Sequence, residues 1–318
     1  MRPLALVALT LVPSWVPAAA APTAAVADAY ETGVAFGGGT YVATATHGAG
    51  LAVFAWTTFE GDPFAATLVV LGGGRKPLKL SGVWSAALDE AWERVAVGEE
   101  LTVTDATIEP PYSRADKVSR DLNIAPNQLE DILYYDAFAG SGYVTRPVIY
   151  TLKDGERKAL AAAGGDFLDW ADGERLVVGR EISGGKSPGT SRLALFGFNL
   201  QDGAFTTLAT AAETPEKLNG KLAAGLPHPP YLAAAWRAVP GLPTMDDAGR
   251  LPASVPVPTC GGAFENAAGG VFWRADDGAR TFCAEGTALA AGEDGTWLLV
   301  ARSGPRGDRL VAERMTWK

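Results

Sequence analysis

Histidine, cysteine and methionine are scarce in this chain, with two, two and three of them in 318 residues. The two histidines, His47 before Gly48-Ala49-Gly50 and His228 before Pro229-Pro230, read as turn residues. They leave little from which to build a histidine metal site or a Ser-His-Asp centre. Positive charge is short as well. Lys and Arg number 27 against 36 Asp and Glu, a net charge of −9. Without clustered Lys and Arg, nucleic acid and an anionic membrane surface are excluded as partners. Long apolar runs are missing too. No segment approaches the ~20 apolar residues that a membrane-spanning helix needs, and long amphipathic helices are few. No cofactor and no metal site is expected from these residues.

The first residues form a separate pattern. A short basic start (Met1-Arg2-Pro3) leads into the apolar run Leu4 to Val12, then the small-residue stretches Ala18 to Ala21 and Ala25-Val26-Ala27. This is the layout of a secretory signal peptide over residues 1–27, with cleavage near Ala20 or Ala27. Pro13 and Pro17 interrupt the stretch. The expectation is an exported chain, 28–318, forming one domain in the periplasm or outside the cell. In such a compartment Cys260 and Cys283 are expected to pair as a disulfide, contributing ~3 kcal/mol through loop entropy.

Glycine (38) and proline (21) are plentiful, and they point to many tight turns. The stretch FLDWADGERLVVGR, Phe167 to Arg180, sets two strand-like runs about an Asp-Gly, a hairpin signal that calls for positive φ. RLALFGFNLQDGAFTTLATA, Arg192 to Ala211, repeats the device, so 165–211 reads as four antiparallel strands. Leu68 to Ser81, Val148 to Ala161 and Val271 to Ala284 each read as strand, Gly-containing turn, strand. Val83 to Gly98 and Ala288 to Arg302 repeat the first half, with Thr40 to Phe59 and Leu222 to Trp236 as weaker copies.

These copies divide into four four-stranded units, about 39–82, 83–163, 164–213 and 217–287. A fifth unit, 288–318, has three strands, and Val26 to Phe36 can supply the fourth. The fold expected is an all-β propeller of five four-stranded blades closed by an N-terminal strand. Insertions interrupt it at about 100–145, where Gln128 to Phe138 has helical spacing after a capping Asn127, and at 237–268. Both are places where function can sit.

Trp170-Ala171-Asp172-Gly173 before Arg175-Leu176-Val177-Val178 resembles the repeat of TolB-type propellers, in which a Trp-Ser-Pro-Asp-Gly turn precedes such a strand. Ala171 stands where Ser-Pro would be. Trp84-Ser85 and Asp294-Gly295-Thr296-Trp297 are partial copies. The resemblance implies the propeller fold and, as in envelope members of that family, an interaction scaffold.

Motifs that look chemical fare less well. Gly185-Lys186-Ser187-Pro188-Gly189 fits G-x-S-x-G, but it falls between strands, and a hydrolase elbow needs a following helix. The same Gly-Lys-Ser fails as a phosphate loop because Arg180 stands where its first Gly belongs. Asp172, Asp277 and Asp294 read as turn acids. Trp56, Trp92, Trp236, Trp273, Trp297 and Trp317 are placed on strands as packing residues.

Convergent acids at a propeller hub remain, with Asp89, Asp166, Asp169 and Glu293 as candidates. Two of them could serve as acid and nucleophile of a carbohydrate-active enzyme, or help to bind a sugar. The reading preferred is an exported non-catalytic scaffold that binds a protein or envelope ligand.

Overall fold

The computed structural model describes residues 23–36, 40–59, 62–63, 66–72, 75–102, 143–160, 165, 167–182, 192–209, 237–238, 252–305 and 307–317. The chain is all-β. In order, the strands are β1 (Ala24–Phe36), β2 (Thr40–His47), β3 (Gly50–Phe59), β4 (Asp62–Pro63), β5 (Ala66–Leu71), β6 (Leu78–Leu88) and β7 (Arg94–Thr102). There follow β8 (Tyr143–Thr151), β9 (Arg157–Ala159), β10 (Phe167–Trp170), β11 (Arg175–Ile182), β12 (Arg192–Asn199), β13 (Phe205–Ala209) and β14 (Arg237–Ala238). The last are β15 (Ser254–Val257), β16 (Gly262–Ala267), β17 (Gly270–Ala275), β18 (Arg280–Ala284), β19 (Thr287–Ala291), β20 (Trp297–Arg302) and β21 (Asp308–Trp317).

Three sheets have four strands each, in the orders β10-β11-β12-β13, β15-β16-β17-β18 and β1-β21-β20-β19. In the last of these the N-terminal strand pairs with the C-terminal one, from Ala24 opposite Trp317 to Phe36 opposite Asp308. The fourth sheet has nine strands, so the first two sequence units are not separate. The reason lies in β6. Leu78 to Ser81 and Val83 pair with β5, Val83 and Ser85 to Leu88 pair with β7, and Gly82 at φ +76° lies where the two ladders meet. Only glycine adopts that φ without steric cost.

Period-2 alternation explains why so many strands are apolar throughout. In β2 and β3, Tyr41, Ala43, Ala52, Phe54 and Trp56 enter a core shared with β6–β8 and with β10–β12. Their neighbours Val42, Leu51, Val53 and Ala55 enter a second core with Leu289, Leu299, Leu310 and Ala312 of the terminal sheet. The other face of the terminal sheet, with Leu298, Val300 and Met315, packs against Phe264, Val271 and Trp273 of β16–β17. Both faces of the central sheets are therefore buried, and each large aliphatic side chain so placed contributes about 1.5–3 kcal/mol. Trp56 and Trp273 are core residues, as expected from the sequence.

Strands also lie in stretches that the sequence reading left outside the blades. Residues 24–27 are the first residues of β1, and Ala24 is buried. β15 and β16 come from residues expected in the 237–268 insertion. Their Pro-rich sequence hid them, but β15 is an edge strand, where Pro256 lacks an N–H without cost.

Cys260 and Cys283 are free thiols, not a disulfide. Cys260 ends the 3-10 turn Pro258–Cys260, whereas Cys283 lies in β18, across the sheet beyond β16 and β17. Strand spacings of about 4.8 Å hold them roughly 10 Å apart, beyond disulfide reach. The helix at 128–138, the G-x-S-x-G segment, His228, Trp236 and the copy at 222–236 lie outside the described residues.

Candidate functional site

Five Asp-Gly turns share one device. In Asp154, Asp172, Asp202, Asp277 and Asp294, Oδ1 accepts the backbone N–H two residues on, at 2.9–3.1 Å. These carboxylates are occupied in holding turns. The glycines after Asp154, Asp202, Asp277 and Asp294 have positive φ, as the sequence signal requires. Gly173 does not. There Asp172 also accepts the N–H of Arg175 and pairs with its guanidinium, so side-chain bonds replace the left-handed turn expected.

Three of the four hub candidates are described, and each has its own partners. Asp89 is buried, and its Oδ1 accepts the N–H groups of Glu93 and Arg94 while Oδ2 pairs with Arg94 Nε at 2.9 Å. Glu293 is exposed and accepts from Gly48 N at 3.1 Å and from Thr46 Oγ1, tying the β19–β20 turn to the β2–β3 turn. Asp169 accepts only the N–H of Trp170 among the described residues, and burial pushes its carboxyl above the usual range. Asp166 lies outside the described residues. No hydrogen bond joins any two of Asp89, Asp169 and Glu293.

What the fold does gather is turns. Leu152 N donates to Glu93 O at 2.7 Å, Arg94 Nη2 to Gly173 O at 2.8 Å, and Leu200 N to Glu174 O at 2.9 Å. Gly48 is bonded to Glu293, and Cys260 Sγ donates to Asp294 O at 3.2 Å. These contacts, with the stacking of His47 on Trp92 that joins the two groups, bring the β2–β3, β6–β7, β8–β9, β10–β11, β12–β13 and β19–β20 turns, and the 3-10 turn, to one end of the molecule.

On that end a cleft opens between the β2–β3 and β5–β6 turns on one side and the β6–β7 turn on the other. Its inner part, about 200 Å³, is lined by His47, Arg75, Lys76, Leu78, Trp92 and Leu152 among others. A shallower groove of about 1010 Å³ continues past Arg75, Lys76 and Leu78 to Lys153 and Asp154.

Trp92 builds this cleft. The sequence placed it on a strand, but it sits in the Asp89–Arg94 turn at φ +52°, the one left-handed non-glycine residue among those described. For a bulky residue this is strained backbone. Asp89 holds it there, since Trp92 N donates to Asp89 O at 2.9 Å and Arg75 Nη1 donates to Trp92 O. The indole stacks on His47 at 6.0 Å between centroids and lies over Gly50, where a Cβ would come within 2.6 Å of the ring. No carboxylate pairs with Arg75 or Lys76 among the described residues, and the inner cleft is lined by no Asp, Glu, Asn or Gln. No single sequence signal marks this pairing of residues 47, 75 and 92. Gly48-Ala49-Gly50 before a strand was the nearest hint.

No known protein family matches the chain, and no curated protein matches it. Among solved structures the chain is similar to an acylaminoacyl peptidase in complex with a chloromethyl ketone (7% identity, TM-score 0.30, 88% of this chain and 35% of that one). It is similar also to the β-propeller domain of the trilobed protease of Pyrococcus furiosus (10% identity, TM-score 0.30, 83% and 64%). A third is an oligogalacturonate lyase in complex with manganese (9% identity, TM-score 0.25, 94% and 99%). The chain spans about a third of the peptidase and under two thirds of the protease domain. Likenesses of this degree carry no argument about function, which is read from the geometry of the turns and the cleft.

Proposed function

We propose that the protein is an exported, non-catalytic five-bladed propeller of TolB type that binds a protein partner of the envelope through its turn-bearing end. The observation that carries this reading is the contrast between the acids and the cleft. Asp89 and the five Asp-Gly acids are spent on turns, and Glu293 ties two turns together. In the cleft beside them Arg75 and Lys76 pair with no carboxylate among the described residues. A glycosidase needs two available carboxyl groups about 5–9.5 Å apart, and among the described hub candidates Asp169 is the one not engaged by a cation or a second turn.

The five-bladed reading draws support from the order of packing. The sheet of β10–β13 packs on β6–β8, these on β2–β5, these on the terminal sheet, and that on β15–β18. The β1–β21 pairing is of the kind that fastens first to last blade in a propeller.

The test is a capture experiment with the chain from Thr23 onward immobilised against an envelope extract, alongside a panel of glycosides. The expected result is one dominant captured protein, retained by Asp169→Asn, with no turnover of any glycoside. Glycoside turnover lost in Asp169→Asn overturns the reading in favour of the carbohydrate-active enzyme.

A further inference from the structure

We infer that the cleft of His47, Arg75, Lys76 and Trp92 is a binding site for an extended acidic peptide segment, with Arg75 and Lys76 pairing its carboxylates. The inference rests on the scaffold reading and names the chemistry of its partner.

Charge is the first ground. The chain carries a net charge of −9, yet among the described residues the inner cleft is lined by two permanent cations and no acid. At physiological ionic strength charges beyond about 8 Å are largely screened. An anion seated in the cleft therefore feels Arg75 and Lys76 far more than the acidic surface elsewhere. Arg75 is tethered at Nη1, which donates to Trp92 O, and its other guanidinium nitrogens have no partner among the described residues. A pre-positioned guanidinium loses less freedom on pairing with a carboxylate.

Shape is the second. The inner cleft of about 200 Å³ accepts one side chain, and the groove of about 1010 Å³ that shares Arg75, Lys76 and Leu78 with it runs on to Lys153. The groove carries the cations Arg75, Lys76 and Lys153 beside the apolar Pro77, Leu78 and Leu152; of its two acids, Asp154 is held by Thr151 and Glu156 in its own turn and Glu93 is exposed. These cations suit a chain whose acidic side chains recur along an extended backbone. A single small anion would leave most of the groove empty.

The kind of polar group is the third. Sugar hydroxyls are both donors and acceptors, and a site for them carries carboxylates or amides to accept their protons. The inner cleft offers cationic donors and an indole–imidazole stack, with no such acceptor side chain. The stack gives a flat wall for the aliphatic part of a Glu side chain.

The experiment is fluorescence anisotropy of a labelled hexaglutamate peptide titrated with the chain from Thr23 onward. Saturable binding is expected, weakened about tenfold or more in Arg75→Gln/Lys76→Gln and unchanged in Lys158→Gln, which alters a cation on the exposed β9. High salt should weaken it further. Equal weakening by Lys158→Gln, or no saturable binding, overturns the inference. So does tighter binding of an unlabelled digalacturonate competitor than of unlabelled hexaglutamate, which would assign the cleft to a sugar acid. Trp92→Phe, with folding checked by circular dichroism, should weaken binding while leaving the cations in place. Hexaglutamate binding without capture of any envelope protein would uphold the site and overturn the scaffold reading. Capture of a partner with hexaglutamate unbound would do the reverse.

Discussion

The guanidinium of Arg94 lies 4.5 Å above the ring of Trp170 while its Nε pairs with Asp89 at 2.9 Å. One side chain thus joins the turn that carries Trp92 to the β10–β11 hairpin, and Trp170 Nε1 adds a bond to Ala87 O at 3.0 Å. Arg94→Ala leaves the buried Asp89 carboxylate without its counter-charge and is expected to cost about 2–4 kcal/mol. Arg94→Lys should recover part of this. Chemical denaturation of the three chains measures the difference. An Arg94→Ala chain as stable as the parent would show that the pair contributes nothing.

The Asp-Gly turns were legible in the sequence because the device is local, a carboxylate reaching two residues along its own chain. So was the pairing of the N-terminal strand, whereas the continuity of the first two units through Gly82 was not, since a boundary between separate blades was expected there. Trp92 was not legible. Its turn, Asp89-Glu-Ala-Trp-Glu93, contains no glycine, and its left-handed conformation is held by Asp89 within the turn and by Arg75 and Gly50 from outside it. Cys260 and Cys283 were misread because an even count says nothing of which strands lie between them.

Free thiols are the direct consequence. Titration with a thiol reagent after unfolding without reductant should find two per chain, and a disulfide would give none. In the folded chain Cys283 should react slowly at pH 8, since burial pushes its thiol up to about 11, with Glu313 nearby adding to the effect.

Glu313 is fully buried, ion-paired with Arg302, and keeps Oε2 without a hydrogen bond among the described residues. Burial raises its pKa, Arg302 offsets part of the rise, and Glu285 adds to it. The folded state therefore holds this proton more tightly than the unfolded chain does. Its contribution is fully present below the ordinary carboxyl value of 4.5 and is lost as pH rises through the folded value.

Glu99 has the opposite sign. Burial alone would raise it, but hydrogen bonds from Arg157 and Tyr150 outweigh that and lower its pKa. Its contribution is present above 4.5 and lost as pH falls. Denaturation across pH should show Glu313→Gln flattening the decline above 4.5 and Glu99→Gln flattening the acid limb. The reverse pattern would contradict both assignments.

The place where β1 begins bears on processing. Ala24, Ala25 and Val26 pair with Trp317, Thr316 and Met315, and Ala24 O accepts from Cys283 Sγ at 3.5 Å. A chain starting at Asp28 should be less stable than one starting at Thr23 by about 2–4 kcal/mol. N-terminal sequencing of the protein isolated from cells is expected to read from Ala24 or earlier, and a start at Asp28 would contradict the role given to these residues.

Gly50 is the point at which the cleft can be altered with little else touched. Gly50→Ala brings a Cβ within 2.6 Å of Trp92 and should displace the indole, at about 1–3 kcal/mol of stability. Hexaglutamate binding should fall with it. Unchanged binding would show that the Trp92–His47 stack has no part in recognition.

The central claim is that the partner engages the turn-bearing end. A photo-cross-linking residue placed at Glu90, in the Trp92 turn, tests it most directly against the same residue at Ala268, in the exposed β16–β17 turn at the other end. In envelope extract the account predicts one dominant cross-linked protein from position 90 and none from position 268. Cross-linking from 268 alone would place the binding face at the opposite end and contradict the account.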